Sequence, residues 1–541
     1  MPAPGAIRAV LAFPNTYTIG ITSLGYQVVW ASLAQRSDVD VRRLFTDQSD
    51  PTHRDCELFG LSLSWELDGP VLLDMLEQQR IPLWARQRSD NDPIVFGGGP
   101  VLTANPEPLA PFFDAVLLGD GENLLPSFIE ALHDCRNEPR AERLRRLAQV
   151  PGVYVPCLYA PRYSKDGTLL SIEPKDSGIP TSISKQTWRG KTLSHSMVIT
   201  PESAWPSIHM VEVVRSCPEL CRFCMASYLT LPFRTPSLNE GLIPAVEKGL
   251  TATQRLGLLG ASVTQHPQFN ELLQWINHDR FDGTRVSVSS VRAATVTPEL
   301  GKMLARRGSK SLTIAIESGS ERIRTIVNKK LAQEEIYAAA RYAREGGLSG
   351  LKLYGMVGLP REEEADVEAT AELLLNLKKA TPGLRLSFGV STFVPKAHTP
   401  FQWEGVRSEA EKRLKLLAKR LKPKGVDLRP ESYGWSVIQA LFSRSDRRLA
   451  PVIAAVRGSQ ESLGGWKKAY RESQQQDLSG SDWELESLPR PPEWKEVIHA
   501  SWESSRVLPW SHLNGPINQK QLWAHHDQAL PQNTDGSPAD E

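Results

Sequence analysis

The sequence predicts an α/β protein of more than one domain. A doubly wound parallel sheet is expected over residues 1–160, a partial (β/α)6 barrel over 206–430, and a mixed, mostly helical region over 431–541. Three observations carry this. The chain has 541 residues, too many for one hydrophobic core. Two stretches alternate short apolar runs with 3.6-periodic segments, the pattern of parallel strands joined by helices. Between them, at the end of the first strand of the second array, three of the six cysteines fall within eight residues: Cys217, Cys221 and Cys224.

In the first array "IRAVLAFP" (7–14) reads as a strand and "SLGYQVVWASLAQR" (23–36) as a helix. "VDVRRLF" (39–45), "ELFGLSLSW" (57–65), the helix "GPVLLDMLEQQR" (69–80), "PIVFGGGP" (93–100), "DAVLLGDGE" (114–122) and the helix "LLPSFIEALHDC" (124–135) follow. Glycine-rich turns end two successive strands. In open sheets of this type ligands sit outside the carboxyl ends of the strands, where glycine admits a close approach. Tight turns without a ligand would use the same residues.

Residues 161–205 are polar, contain proline and lack a period, which fits a linker or an irregular covering segment. The second array has strands at 209–215, 256–260, 285–291, 312–317, 350–357 and 384–390, with helices such as 267–277 and 334–347 between them. Eight such units close a full barrel; six leave it open. "VRSEAEKRLKLLAKRLKPK" (406–424) reads as a basic amphipathic helix on the domain surface. Helices are expected around 447–472, and the last residues, "PQNTDGSPADE", have a disordered composition.

With 63 basic and 62 acidic side chains, the charge balance gives no strong nucleic-acid signal. The first residues lack a basic n-region and a signal-length apolar run, and no stretch is apolar enough to span a membrane. Six scattered and clustered cysteines are not a disulfide framework, so a reduced, cytoplasmic setting is expected.

The cysteine triplet has spacing C-x3-C-x2-C. Structural zinc wants a fourth ligand; Cys56, Cys135 and Cys157 show no pairing, and His209 lies at no recognised ligand spacing. An iron–sulfur cluster held by three thiolates keeps one iron open for a substrate or cofactor. The triplet also lies where barrel enzymes place their chemistry, at the carboxyl end of a strand.

With Phe223 just before the third cysteine, this arrangement resembles the radical SAM superfamily. The resemblance implies a [4Fe-4S] cluster on Cys217, Cys221 and Cys224, with S-adenosylmethionine chelated at the open iron and cleaved to a 5′-deoxyadenosyl radical. It also implies a low-potential reducing partner such as flavodoxin or ferredoxin. By position, "LLGAS" (258–262) places Gly260 at the element that holds the methionyl amino group, without that element's glutamate. "SVSSVR" (287–292) supplies Ser289. "AIESGSERI" (315–323) puts Glu317 and Ser318 at the ribose and carboxylate, and "YGMVGLP" (354–360) puts Gly355 and Gly358 near adenine.

A doubly wound domain ahead of such a core resembles the cobalamin-binding branch of the superfamily. "AFPNTYTIGITSLGYQVV", "SLSWELDGPVLLDML", "GGGPVLTANPEPLAPFFDAVLLGDGE", "STFVPKAHTPFQW", "FSRSDRRLAPVI" and "LPWSHLN" extend the likeness over nearly the whole chain. The implied corrin neighbours are Ser62, Ser64, Gly97, Gly98, Gly99, Gly119, Asp120 and Glu122. The Asp-x-His-x-x-Gly element that supplies a lower axial histidine is absent from "NTYTIGITSLG" (15–25), and "DPTHRDCELFG" (50–60) has the wrong order. Cobalamin without a protein histidine ligand is therefore the expectation. The resemblance implies methylation of an unactivated carbon in a small molecule or other substrate that the sequence does not name. A cobalamin-independent rearrangement, cyclisation or methylthiotransferase-like reaction is the alternative within the superfamily. A non-catalytic iron–sulfur redox or scaffold protein is the alternative outside it.

Overall fold

The computed structural model describes residues 2–48, 55–458, 461–475 and 489–531. The tail 532–541 and the segment 49–54, on which the histidine at position 53 falls, lie outside the described residues. The chain divides into two compact units: 1–188 with 202–204 and 438–515, and 189–201 with 205–437 and 516–541.

In the first unit, strands β1 (Ile7–Ala12), β2 (Val39–Leu44), β3 (Leu58–Ser62), β4 (Ile94–Gly98), β5 (Ala115–Leu117) and β6 (Val153–Tyr154) form one sheet in the order β2-β1-β3-β4-β5-β6. The first five are parallel, and β6 runs antiparallel to β5 at the edge. The expected doubly wound sheet is present with this one added strand. The central strands read as continuous apolar runs because helices cover both faces; Val10, Leu11, Phe59, Leu61, Val95 and Val116 are all almost wholly buried. The crossover helices include Leu24–Ala34, capped by the Ser23 hydroxyl, Gly69–Gln78 and Gly121–Asp134.

Residues 161–205, expected to be a linker or an irregular covering segment, carry some regular structure: β7 (Tyr159–Tyr163) and β8 (Leu169–Pro174) make an antiparallel hairpin, and β9 (Ile183–Ser184) pairs in parallel with Leu513–Asn514, the rest being largely irregular. The region 431–541 is not a separate extension. Residues 438–515 belong to the first unit, tied to it by the buried Arg447–Glu107 ion pair at 2.8 Å, and 516–541 to the second.

The second unit is the partial barrel. Strands β10 (His209–Glu212), β11 (Arg255–Leu259) and β12 (Arg285–Val288) pair in parallel. So do β13 (Ser311–Glu317), β14 (Gly350–Val357), β15 (Arg385–Thr392) and β16 (Asp427–Pro430). A parallel bridge from Val291 to Ile314 joins the two runs. β16 is a seventh strand beyond the six expected, and the basic helix occupies Ala410–Leu421. Alternate strand residues, among them Leu312, Ile314, Leu351, Leu353, Leu386 and Phe388, form one core with helix residues such as Leu300, Ile336 and Leu414. The intervening positions Thr313, Ala315, Lys352, Tyr354, Ser387 and Ser391 are half-buried or exposed. That mainly polar face is the one left to a ligand.

Candidate functional site

The cysteine loop leaves β10 and is fixed by its own backbone and by neighbours. Ser216 and Leu220 flank the first two cysteines with φ of 73° and 54°, left-handed values that L residues adopt only when the surroundings impose them. The imposing contacts come from the segment after β13. Asn328 donates its side-chain amide to the carbonyls of Glu219 at 3.1 Å and Leu220 at 2.8 Å. The Arg222 amide donates to the Val327 carbonyl at 3.0 Å. From the carboxyl ends of β11 and β12, Gln265 and Arg292 hold the Glu219 carboxylate, Arg292 at 2.6 Å. The loop ends in a short helical turn, Met225–Tyr228, with Cys224 at its N-cap.

Cys221 is buried, and Cys217 and Cys224 are partly so. Burial pushes the Cys221 thiol up to about 12, against the pull of Lys329, and raises that of Cys224. Thiols in this environment become thiolates when a metal centre supplies positive charge. Among the described residues no three His, Cys, Asp or Glu side chains are arranged to hold a single ion. An iron–sulfur cluster makes a different demand, because its cysteines bind separate irons. Three thiols on one pre-ordered loop fit that donor set.

Around the loop, Glu317 ends β13 at φ 63° and sits at a shift in the β13–β14 register. It does not cap the helix Glu321–Ile326, whose N-cap is Ser320. Its carboxylate instead pairs with Lys329 at 2.9 Å. Gly260 (φ 153°) ends β11 where a Cβ would stand 2.7 Å from Val214, and its carbonyl accepts the Ser289 hydroxyl at 2.9 Å. Phe223 is half-buried against a small apolar cluster that includes Ile323, Ile326 and Phe401.

Three of the expected nucleoside neighbours are engaged in contacts of the fold itself. Ser318 is 1% exposed and its hydroxyl accepts the Ser320 amide at 3.1 Å and meets Thr370, so that hydroxyl is spent inside the protein. Gly355 does not offer an open surface to adenine. A Cβ there would lie 2.6 Å from the Glu317 carbonyl oxygen and 2.8 Å from Phe388, so glycine admits the β13 irregularity. Gly358 (φ 76°) is a turn residue whose amide donates to Glu362 at 2.6 Å.

In the first unit the predicted residues divide. Ser62 is half-buried and Ser64 exposed at the end of β3, next to Trp65, which is 45% exposed. Gly98 leaves room for a Cβ: the nearest atoms would be those of Leu117 at 3.7 Å and beyond, an ordinary contact. The other glycines serve packing. Gly97 faces Leu102 and Phe113, Gly99 (φ 108°) faces the Leu63 backbone, and Gly119 (φ 115°) faces that of Gln186. The Asp120 carboxylate accepts the Trp188 amide at 2.8 Å, so the segment around 186–188 covers the end of β5. Glu122 lies, half-buried, in the first turn of the helix that follows.

Sequence reasoning missed Glu219, Gln265, Arg292, Asn328 and Lys329. The signals were weak: an acid between the first two cysteines, and an Asn-Lys-Lys run one helix beyond β13.

Residues 25–156 match the family model of radical SAM proteins, N-terminal, and residues 211–374 that of the radical SAM superfamily. The chain is 26% identical over 451 residues to an uncharacterised protein of Methanocaldococcus jannaschii, covering 82% of this chain and 90% of that one. Among solved structures it is similar in fold to the radical S-adenosylmethionine methyltransferase TsrM of Kitasatospora setae, determined with cobalamin and a [4Fe-4S] cluster bound. That match has a TM-score of 0.52 at 16% identity and covers 74% of this chain and 76% of TsrM.

Proposed function

The chain belongs to the radical SAM superfamily, and from that premise we propose that it is a cobalamin-dependent enzyme that methylates an unactivated carbon. The observation that carries the first half is the cysteine loop, held in place by Asn328 and by Glu219 with its partners Arg292 and Gln265. Cys217, Cys221 and Cys224 would hold a [4Fe-4S] cluster, and no fourth protein ligand is needed. Such a cluster, when bound with S-adenosylmethionine, supplies the one-electron chemistry that yields a 5′-deoxyadenosyl radical. The protein's part is to orient the nucleoside and exclude water. Gly260 allows the β11 end to approach closely, the Glu317 carboxylate is presented at the β13 end, and the mainly polar face of the sheet would meet the substrate.

For the second half, the residues at the ends of β3 and β4 fit a flat macrocycle: Ser62, Ser64, the exposed Trp65 and Gly98, where an added Cβ would meet nothing nearer than Leu117 at 3.7 Å. Cobalamin bound there, without a protein histidine, would supply the methyl group. The fold likeness to TsrM spans both halves of the chain and supports this reading. The closure of the β5 end by Gln186 and Trp188 favours a second reading, in which the first unit holds no corrin and the radical drives a rearrangement or cyclisation.

Among the described residues no helix is long and apolar enough to cross a membrane. A flavodoxin- or ferredoxin-type reductant in a reducing cytoplasm belongs to the same proposal.

The test is anaerobic reconstitution followed by dithionite and S-adenosylmethionine, with and without cobalamin. 5′-Deoxyadenosine that requires all three cysteines, together with S-adenosylhomocysteine that requires cobalamin, is the expected result. Deoxyadenosine without S-adenosylhomocysteine, with corrin bound, would overturn methyl transfer. Absence of corrin bands after incubation would favour the second reading.

A further inference from the structure

The last described residues of the chain lie within the second unit, against the cysteine loop. The helix Gln519–Asp527 is anchored from below. His526 Nε2 meets Glu404 at 2.9 Å, Trp523 stacks on His526 at 4.5 Å between ring centres, and Leu530 joins the apolar cluster under Phe223. Its upper contacts are with the loop itself. The Arg222 guanidinium, one residue from Cys221, donates to the His525 carbonyl at 2.7 Å and to the carbonyls of Thr325 and Ile326 at 3.1 and 2.9 Å. The Tyr228 hydroxyl lies 3.1 Å from the Leu220 carbonyl and 3.2 Å from His525 Nδ1. A phenol has one proton. Donating it to Leu220 leaves the oxygen to accept from His525, which places the proton of the neutral imidazole on Nδ1.

We propose that His525 and Tyr228 are positioning residues for the cluster, so that the C-terminal helix is a working part of the cysteine site. The inference rests on the reading of the three cysteines as cluster ligands. The chain His525–Tyr228–Leu220 fixes the carbonyl just before Cys221, the same oxygen that accepts the Asn328 amide. Arg222 fixes the residue just after it. Cys221 is thus gripped on both sides by one helix that lies some three hundred residues further along the chain. Outer contacts of this kind hold ligands at their working angle and tune the centre they bind.

The experiment uses full-length protein reconstituted with iron and sulfide, comparing Tyr228→Phe, His525→Ala and His525→Asn with the unaltered chain. Release of the cluster to a chelator and its midpoint potential are measured, with melting of the iron-free protein as the control for folding. Tyr228→Phe and His525→Ala are expected to release the cluster about 10–100-fold faster and to shift the potential, with melting unchanged. His525→Asn, whose side-chain N–H can stand where Nδ1–H stood, is expected to restore both. Release and potential equal to those of the unaltered chain in both Tyr228→Phe and His525→Ala would overturn the inference. So would faster release that His525→Asn does not rescue and that tracks a lowered melting temperature. If the unaltered chain itself assembles no cysteine-dependent cluster, the assignment of the cysteines falls first, and the inference falls with it.

Discussion

Lys329 Nζ lies 2.9 Å from Glu317 Oε1, and the two side chains are only 13% and 10% exposed. Both charges bear on Cys221. The pair joins the left-handed end of β13 to the segment that grips the cysteine loop, so one contact links the proposed nucleoside end of the site to the proposed cluster end. Burial alone would depress the Lys329 ammonium, but Glu317, together with Cys221 and Cys224, outweighs it and the net shift is upward. The lysine's share of stability is therefore complete below its unfolded pKa, about 10.4, and is lost only as pH rises through the higher folded value.

Breaking this pair from one side strands a buried charge. Lys329→Met is expected to cost about 3–5 kcal/mol, read from urea unfolding of the iron-free protein at pH 7. Glu317→Gln combined with Lys329→Met should regain most of that. A single-variant loss under about 1 kcal/mol would mean the carboxylate has found water.

Gly355 tests the same strand end from the other side. Its Cβ position lies 2.6 Å from the Glu317 carbonyl oxygen, so Gly355→Ala must push β13 and β14 apart where Glu317 is presented. The expected loss is about 1–3 kcal/mol, with a raised KM for S-adenosylmethionine in the deoxyadenosine assay. An unchanged KM in a folded variant would remove Glu317 from the nucleoside site.

Much of this was legible in the sequence. Strands such as β3 and β4 announce themselves because both faces are buried, and the cysteine spacing names its chemistry without help from the fold. The bracing of the loop was not legible. Asn328 reaches Glu219 across 109 positions, and Arg222 reaches His525 across 303; no local periodicity records such pairs. Ser318 and Gly355 matched a motif by position, but the motif does not say which way a hydroxyl points or what a glycine faces. The hairpin of β7 and β8 was hidden by Pro161 and Pro174, residues that argue against a strand unless it lies at an edge.

Acid sensitivity should trace to His512. It is 5% exposed, its ring lies 4.9 Å from that of Tyr154 and its Nε2 lies 3.8 Å from Glu107. Burial pushes it down to about 4, helped by Arg447 and opposed by Glu107. A histidine depressed in this way takes up its proton in the unfolded chain first. Stability therefore falls as pH drops from about 6.5 to about 4, by about 3 kcal/mol in all. Glu107, held low by Arg447 against its burial, adds its own loss at lower pH, as the pH falls through its folded value. His512→Phe keeps a ring against Tyr154 and should flatten the urea midpoint across that upper window. A midpoint that still falls there would place the sensitivity in another group.

The two glycine turns of the first unit make opposite predictions, which separates packing from binding. Gly119 lies at φ 115° with the Gln186 backbone where a Cβ would go. Gly119→Ala must displace the segment that covers β5, and it should destabilise the protein whatever the unit binds. At Gly98 a Cβ would instead make only an ordinary contact, with Leu117 no nearer than 3.7 Å. Gly98→Leu should leave the melting temperature within about a degree or two, since surface changes away from packing shift stability by no more than about 0.5 kcal/mol. The bulk it adds lies where the β4 end would meet a corrin, so cobalamin retained after gel filtration should drop to background, read from visible absorption. Retention at the level of the unaltered chain would put the corrin elsewhere or remove it from the unit. A collapse in stability would show instead that Gly98, like Gly119, is a packing residue.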